Sequence, residues 1–344
     1  MNNTSISLYN YNLPSYLVAK EPIDNRSNSK LLHFNANKEI LTDSRFFLLT
    51  EILNSGDLLI LNNTKVIPAR LYLTKETGGR VELLFNKRIN DREFEVIYTS
   101  SRPPRTNTFL DFKNKYKFYI NNIKKNYLIL KNMSTKDIYE IFDEIGEIPL
   151  PKYIKRPASN NDIKKYQTTY AAHGGSVAAP TAGLHFTKEM IKKLLKKGVI
   201  IKYLTLHISY NTFKPIIDDN YLNHDIGYEY FDINKSIFDE IKKAKKKNKR
   251  VIAVGTTVTR VLEYCYLNNI DYTYKGETNL FIHPGHDFKS INCLITNFHL
   301  PKSSLLLLVC AFIGRERILN LYQHAINNKY RFYSYGDSMF LENT

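Results

Sequence analysis

The feature that most constrains this chain is a change of texture between residues 71 and 150. Short β-rich pieces, RVELLF (80–85), EFEVIYTS (93–100), KYKFYI (115–120) and NYLIL (126–130), alternate there with polar turns. Strands this short and this evenly spaced build an antiparallel sandwich or barrel. After residue 150 the pattern becomes strand–helix alternation. A helix over 188–197 is capped by Thr187 and closed by Gly198, and VIIKYLTLHI (199–208) follows as a strand. A helix over 235–247, the strand RVIAVG (250–255) and a helix over 256–265 come next. LFIH (280–283) and CLITNF (293–298) read as strands, Pro301 opens a helix ending near Gly314, and a last helix runs over 315–327. Before the β-rich stretch, SRFFLLTEILNS (44–55) has helical spacing and DLLILN (57–62) reads as a buried strand. Such alternation implies a layered α/β domain. The expectation is a layered α/β/α main domain made of 1–70 and 151–344, with 71–150 inserted as a smaller antiparallel β-barrel.

Length agrees with two domains, since the chain has 344 residues. Its core needs no covalent staple. Cys265, Cys293 and Cys310 form no CxxC pair, which fits a reduced, cytoplasmic protein. The first residues, MNNTSISLYNYNLP, show neither a basic nor an apolar leader region. The longest apolar run, 305–313, is about half of a membrane span. A net charge of +16 attracts polyanions, although lysine and asparagine are abundant throughout.

Five segments carry unusual local chemistry. GGSVAAPTAGLHF (174–186) is rich in small residues that let a backbone approach a ligand, and the same glycines also mark a plain turn. In LTLHISYNTFKP (204–215), His207 ends an apolar strand, where α/β folds place ligands; a satisfied core histidine is the alternative. VGTTVTR (254–260) joins a strand to a helix whose Thr256 and Thr257 amides can hold an anion, or simply cap the turn. LITNFHLPKSSLLLL (294–308) crowds Asn297, Phe298, His299, Lys302 and Ser303 into one loop. YRFYSYGDS (330–338) interleaves aromatic residues with Arg331, Ser334 and Asp337, as a stacking platform or a core edge would. His283, His286, Cys293 and His299 match no standard metal spacing, so no metal is expected. The lysine run 242–249 reads as a solvated helix face or a nucleic-acid contact.

Ten segments in collinear order resemble the S-adenosylmethionine:tRNA ribosyltransferase-isomerase family. They are YNLPSYLVAKEP (11–22), GDLLILNNTKVIPARL (56–71), GGRVELLF (78–85), GEIPLPKYI (146–154) and YQTTYA (166–171). SVAAPTAGLHFT (176–187), TLHISYNTFKPI (205–216), RVIAVGTTVTRVLE (250–263), LITNFHLPKSSLLLLVCAFIGRE (294–316) and YRFYSYGDSMFL (330–341) complete the set. The chain departs from the family at Ser209 and Asn211, where loop glycines are usual, and at SSRPPR (100–105) in the inserted domain.

The resemblance implies an α/β domain with a barrel insertion, and S-adenosylmethionine consumed as a ribosyl donor with no cofactor. It implies an acceptor of 7-aminomethyl-7-deazaguanine in tRNA with a GUN anticodon, and epoxyqueuosine-tRNA, adenine and methionine as products. A monomer without membrane attachment is expected. The sulfonium acidifies the adjacent 5′ carbon, so the protein must supply a base, an acid for adenine and a dry pocket. His185, His207 and His299 are the base candidates, with His185 first because it follows the small-residue run and precedes a helix N-terminus. Asp337 or Glu316 is expected at the methionine ammonium, and Arg260 with the Thr256 and Thr257 amides at its carboxylate. Phe186, Phe298 or Tyr335 offers a stacking face for adenine. Thr181, Asn297 and Ser303, from the matched segments, complete the substrate set. Lys65, Arg70 and Lys302 are the tRNA-contact candidates.

Overall fold

The period-2 burial of the strands is what layers this molecule. The computed structural model describes residues 4–209 and 215–344. Its strands begin with β1 (Lys30–Asn35), β2 (Ile40–Arg45), β3 (Leu58–Asn62) and β4 (Thr64–Val66). They continue as β5 (Arg70–Lys75), β6 (Arg80–Arg88), β7 (Glu93–Thr99), β8 (Phe109–Phe112), β9 (Tyr116–Lys124) and β10 (Tyr127–Asn132). The remainder are β11 (His173–Ser176), β12 (Ile200–Leu206), β13 (Glu229–Ile233), β14 (Val251–Val254), β15 (Tyr274–Thr278), β16 (Cys293–Asn297) and β17 (Ser338–Glu342). The helices are α1 (Leu49–Ile52), α2 (Ile138–Ile145), α3 (Asn160–Lys165), α4 (Lys188–Lys197), α5 (Lys235–Lys246), α6 (Thr256–Leu267), α7 (Ser304–Ile313) and α8 (Arg315–Asn327).

One sheet runs β15-β13-β12-β3-β14-β16-β17-β1-β2. Its centre, β12-β3-β14-β16, is parallel. Alternate residues of these strands enter opposite faces. Leu58, Ile60, Val251, Ala253 and Leu294 pack with Ile237, Val261, Leu306 and Ile318 of α5 to α8. Leu59, Leu61, Ile252, Val254 and Ile295 pack with Leu49 and Leu194 of α1 and α4. Both faces are therefore covered, which gives the α/β/α layering and explains why the central strands are apolar throughout.

Strands β5 to β10 close into a six-stranded antiparallel barrel. Leu71, Leu83, Val96, Phe118 and Leu130 fill it, and α2 adds Ile138, Ile141 and Phe142 to the same core. The barrel is rooted where β4 pairs with β11 in parallel and where Arg70 and Glu147 exchange backbone hydrogen bonds of 3.1 and 2.9 Å. Among the described residues no helix is long and apolar enough to cross a membrane.

Three local expectations need correction. The segment 44–55 is not one helix: Ser44 and Arg45 pair with Leu31 and Lys30 as the end of β2, and only a 3-10 turn and the short α1 follow. LFIH (280–283) forms no strand, because the Leu280 carbonyl is taken by Arg260 Nε at 2.9 Å and Pro284 follows at once. Pro301 does not open α7: Ser303 caps it, its Oγ accepting from the Leu306 amide at 3.2 Å.

Candidate active site

A cavity of about 260 Å³ opens between the barrel root and the sheet. It is walled by Arg70, Leu84, Pro149 to Tyr153, Tyr166, Val177, Ala178, Pro215 and Leu300. Every wall residue falls in one of the segments singled out above, and together they draw on seven of them. The walls are mostly apolar and aromatic, with Arg70 and Lys152 as the cations, a lining suited to a flat heterocycle. Tyr153 stacks obliquely on Tyr333 at 4.8 Å and shares a short hydrogen bond with Ser334, which ties the aromatic segment 330–338 to this wall.

The three histidines have different surroundings. His207 follows the last residue of β12 and is partly exposed. Its Nδ1 is 2.8 Å from Thr64 Oγ1, its ring lies on Tyr230 at 5.6 Å, and no described residue bonds its Nε2. Gly175 passes over that ring so closely that a Cβ there would sit 2.9 Å from Nε2. Burial, aided by His173, holds the His207 pKa down at about 4. Its neighbour Ile208 accepts from the amide of the cavity residue Val177 at 3.1 Å, and Ser176 Oγ accepts from the Ile208 amide at 2.9 Å.

His185 is buried with both ring nitrogens engaged. Nδ1 meets Ser29 Oγ at 2.8 Å and Nε2 meets the Asn297 amide nitrogen at 3.2 Å, while Phe46 covers the ring at 4.9 Å. His299 is equally buried, with Nε2 at 2.8 Å from Thr296 Oγ1. Burial pushes both pKa values down to about 3, so both rings are neutral near pH 7.

A sequence profile described as queuosine biosynthesis protein matches residues 6–341. The chain belongs to this family. It is 44% identical to the S-adenosylmethionine:tRNA ribosyltransferase-isomerase of Vesicomyosocius okutanii, over 97% of each chain. Identity to the protein of the same name from Coxiella burnetii strain RSA 331 is 42%, over 99% of each. Among solved structures it is similar to S-adenosylmethionine tRNA ribosyltransferase from Thermotoga maritima, with a TM-score of 0.55 and 29% identity over 97% of this chain and 99% of that one.

The remaining residues singled out in the sequence divide in two. Thr256 and Thr257 stand at the buried N-terminus of α6, beside the end of β14. Asn297 ends β16, with its amide nitrogen toward His185 and the carbonyls of Tyr333 and Asp337, and its Oδ1 bonded by no described residue. Thr181 is partly buried in the 3-10 turn that ends at His185. Tyr335 donates to Asp162 at 2.7 Å and packs edge-on against the cavity residue Tyr166.

The others have structural partners. The Phe298 ring is enclosed by Tyr322, Tyr330 and Phe332, and the Phe186 ring by Phe46 and the core, so neither has a free face for adenine. The Asp337 carboxylate accepts from the Lys30 and Arg331 amides at 2.8 and 2.7 Å, and acts as a loop staple. Glu316 is exposed on α8, away from the cavity wall, and Ser303 caps α7. Arg260 is buried in an ion pair with Glu229. Lys65 is exposed on β4. Arg70 pairs with Glu82 at 3.1 Å, and Lys302 sits partly buried at a positive φ. Asn211 lies outside the described residues.

Sequence reasoning missed Ser29, Thr64, Tyr153, Tyr166 and Glu229. Thr64, Tyr153 and Tyr166 lie inside matched segments, so the signal was there. Ser29 and Glu229 lie in none.

Proposed function

We infer that this protein transfers and isomerises the ribosyl group of S-adenosylmethionine onto 7-aminomethyl-7-deazaguanine in tRNA. The products are epoxyqueuosine-tRNA, adenine and methionine. The observation that carries the reading is the cavity wall, composed wholly of family-matched segments, from Arg70 to Leu300, that lie far apart in the chain. The sulfonium supplies the chemical drive. It acidifies the 5′ carbon, a base removes that proton, and adenine leaves. The acceptor amine then attacks and an epoxide closes as methionine departs. The protein's share is to place a neutral base, to protonate adenine and to keep water out.

His207 is the base in this proposal. It has an unengaged ring nitrogen, a neutral ring above about pH 4 and a Thr64 contact that holds its orientation. His185 holds the surrounding loops, both of its nitrogens being committed to Ser29 and Asn297, and His299 is tied to its own loop through Nε2 and Thr296. The methionine carboxylate goes to the α6 N-terminus at Thr256 and Thr257. Lys65, Arg70 and Lys302 are proposed to take tRNA phosphates, and the GUN anticodon is the proposed specificity. The proposed working form is a cytoplasmic monomer, with 71–150 as the inserted unit on a body of 1–70 and 151–344.

Mass spectrometry of tRNA incubated with protein and S-adenosylmethionine tests the reading. Free adenine, free methionine and the mass of an epoxycyclopentanediol adduct are expected. S-adenosylhomocysteine in their place would mark a methyltransferase. Binding of tRNA with no product would mark a non-catalytic RNA-binding protein.

A further inference from the structure

Helix α6 begins in a buried place without a side-chain cap. Gly255 stands at its N-cap position with no side chain, and Thr256, Thr257 and Val258 of the first turn are all buried. Buried first-turn amides call for an acceptor. Three further polar atoms nearby in the fold have no hydrogen-bond partner among the described residues: Thr257 Oγ1, Arg260 Nη2 and Ser209 Oγ. Their residues are 6%, 1% and 8% exposed, so water does not satisfy these atoms cheaply. Thr257 and Arg260 are three residues apart on α6 and therefore share a face, and helical side chains lean toward the N-terminus.

A fourth residue links these groups. Glu229, on β13, takes Arg260 Nη1 with one carboxylate oxygen and the Ser209 amide at 2.8 Å with the other. Ser209 follows Ile208, which is bonded to the cavity wall at Val177. The cluster thus offers a guanidinium nitrogen, a hydroxyl and a helix N-terminus for a negative group, beside a carboxylate and a second hydroxyl for a positive one. A phosphate or sulfate would meet Glu229 unfavourably. A zwitterion uses both halves.

We propose that Arg260, Thr257, Glu229 and Ser209 form an α-amino-acid subsite that clamps the methionine end of S-adenosylmethionine. Arg260, Thr257 and the α6 amides take the carboxylate, and Glu229 with Ser209 takes the ammonium. This rests on the ribosyl-transfer reading and extends it. It places the ammonium contact at Glu229, which adjoins Arg260 and Ser209, in place of Asp337 or Glu316.

The test uses the full chain and three small ligands in a calorimeter: L-methionine, 3-methylthiopropylamine, which lacks the carboxylate, and 4-methylthiobutyrate, which lacks the amine. Thr257→Val and Ser209→Ala keep the buried ion pair, and their melting temperatures check the fold. Thr257→Val is expected to weaken methionine and the butyrate by about tenfold, the cost of a hydrogen bond to a charged group, and to leave the amine unchanged. Ser209→Ala is expected to weaken methionine and the amine and to leave the butyrate unchanged. The Michaelis constant for S-adenosylmethionine should rise in both while that for tRNA holds. Equal weakening of all three ligands, or of none, overturns the subsite. Adenine release by the unaltered protein is scored separately, so loss of the subsite and loss of the underlying reaction are distinguishable.

Discussion

Mild acid should destabilise this protein, and the reason is the pair of buried neutral histidines. His185 and His299 have folded pKa values near 3, against about 6.5 for an exposed histidine. Between those limits the unfolded chain binds the proton and the native ring does not. Stability therefore rises with pH through the window and is lost as pH falls below about 6.5. Lowering the pH from 6.5 to 5 should cost about 1.6 kcal/mol per ring, or about 3 kcal/mol for the two, from the linkage relation. That is a large part of the roughly 5–15 kcal/mol that holds a typical domain folded. His207, which burial holds at about 4, adds to the loss in the same window, while the carboxylates act elsewhere or oppose it. The Glu342 carboxyl, which His33 and Arg250 hold near 2 against its burial, loses its contribution only below the ordinary carboxylate range. Asp337, raised by burial, works in the opposite direction. Urea unfolding in half-unit pH steps reads the slope directly. His185→Gln and His299→Gln should each reduce proton uptake on unfolding by about one in this window. An unfolding free energy flat from pH 6.5 to 5, or a slope unchanged in both variants, would refute the reasoning.

Four further outcomes are expected. His207→Gln should lower turnover by about a hundred- to ten-thousand-fold, the usual cost of a general base, with tRNA affinity kept within a few-fold; near-normal turnover would remove His207 from that role. Gly175→Ala should also cripple turnover, because its Cβ would meet His207 Nε2 at 2.9 Å and the φ of +142° resists a side chain; unchanged single-turnover adenine release would contradict this. The +16 charge should make tRNA affinity fall steeply with salt, and Lys65→Ala or Lys302→Ala should each reduce the log–log slope by about one; a slope near zero in the unaltered protein speaks against phosphate contacts. Activity should survive EDTA, since His286 faces Glu263 and His299 faces Thr296, and no group of three metal-binding side chains assembles among the described residues; loss restored by zinc would overturn this.

The layered sheet and the barrel were legible because their signals are local. Alternation within RVELLF or EFEVIYT needs only a few residues of context, and the observed strands begin where those patterns do. The edge of the sheet was not legible. KLLHFN of β1 and SMFLE of β17 are short apolar pieces that suit a strand or a helix turn equally. What makes them strands is their mutual parallel pairing, Leu31 beside Ser338, across some three hundred residues. Tertiary pairing overrode propensity in the other direction at LFIH, where a guanidinium from α6 captured the carbonyl that a ladder would need.

The site divides along the same line. Small-residue loops bearing a histidine could be found from sequence, because close backbone approach demands glycine and alanine there. The partners that decide each histidine's role could not. Ser29, which engages His185, stands 156 residues away, and Thr64, which orients His207, stands 143 away. Arg260 shows the consequence most clearly. In TTVTRVLE it reads as a free cation at a helix start, ready for a substrate carboxylate. In the fold its Nη1 is already taken by Glu229, from an EYFDI strand that looks like any half-buried edge. A buried cation with a resident anion is a poor site for a simple anion and a good one for a group that carries both signs. The identity of the partner, not of the residue, therefore sets which ligand chemistry fits, and that pairing exists only once β13 lies beside β12 and α6 packs on β14.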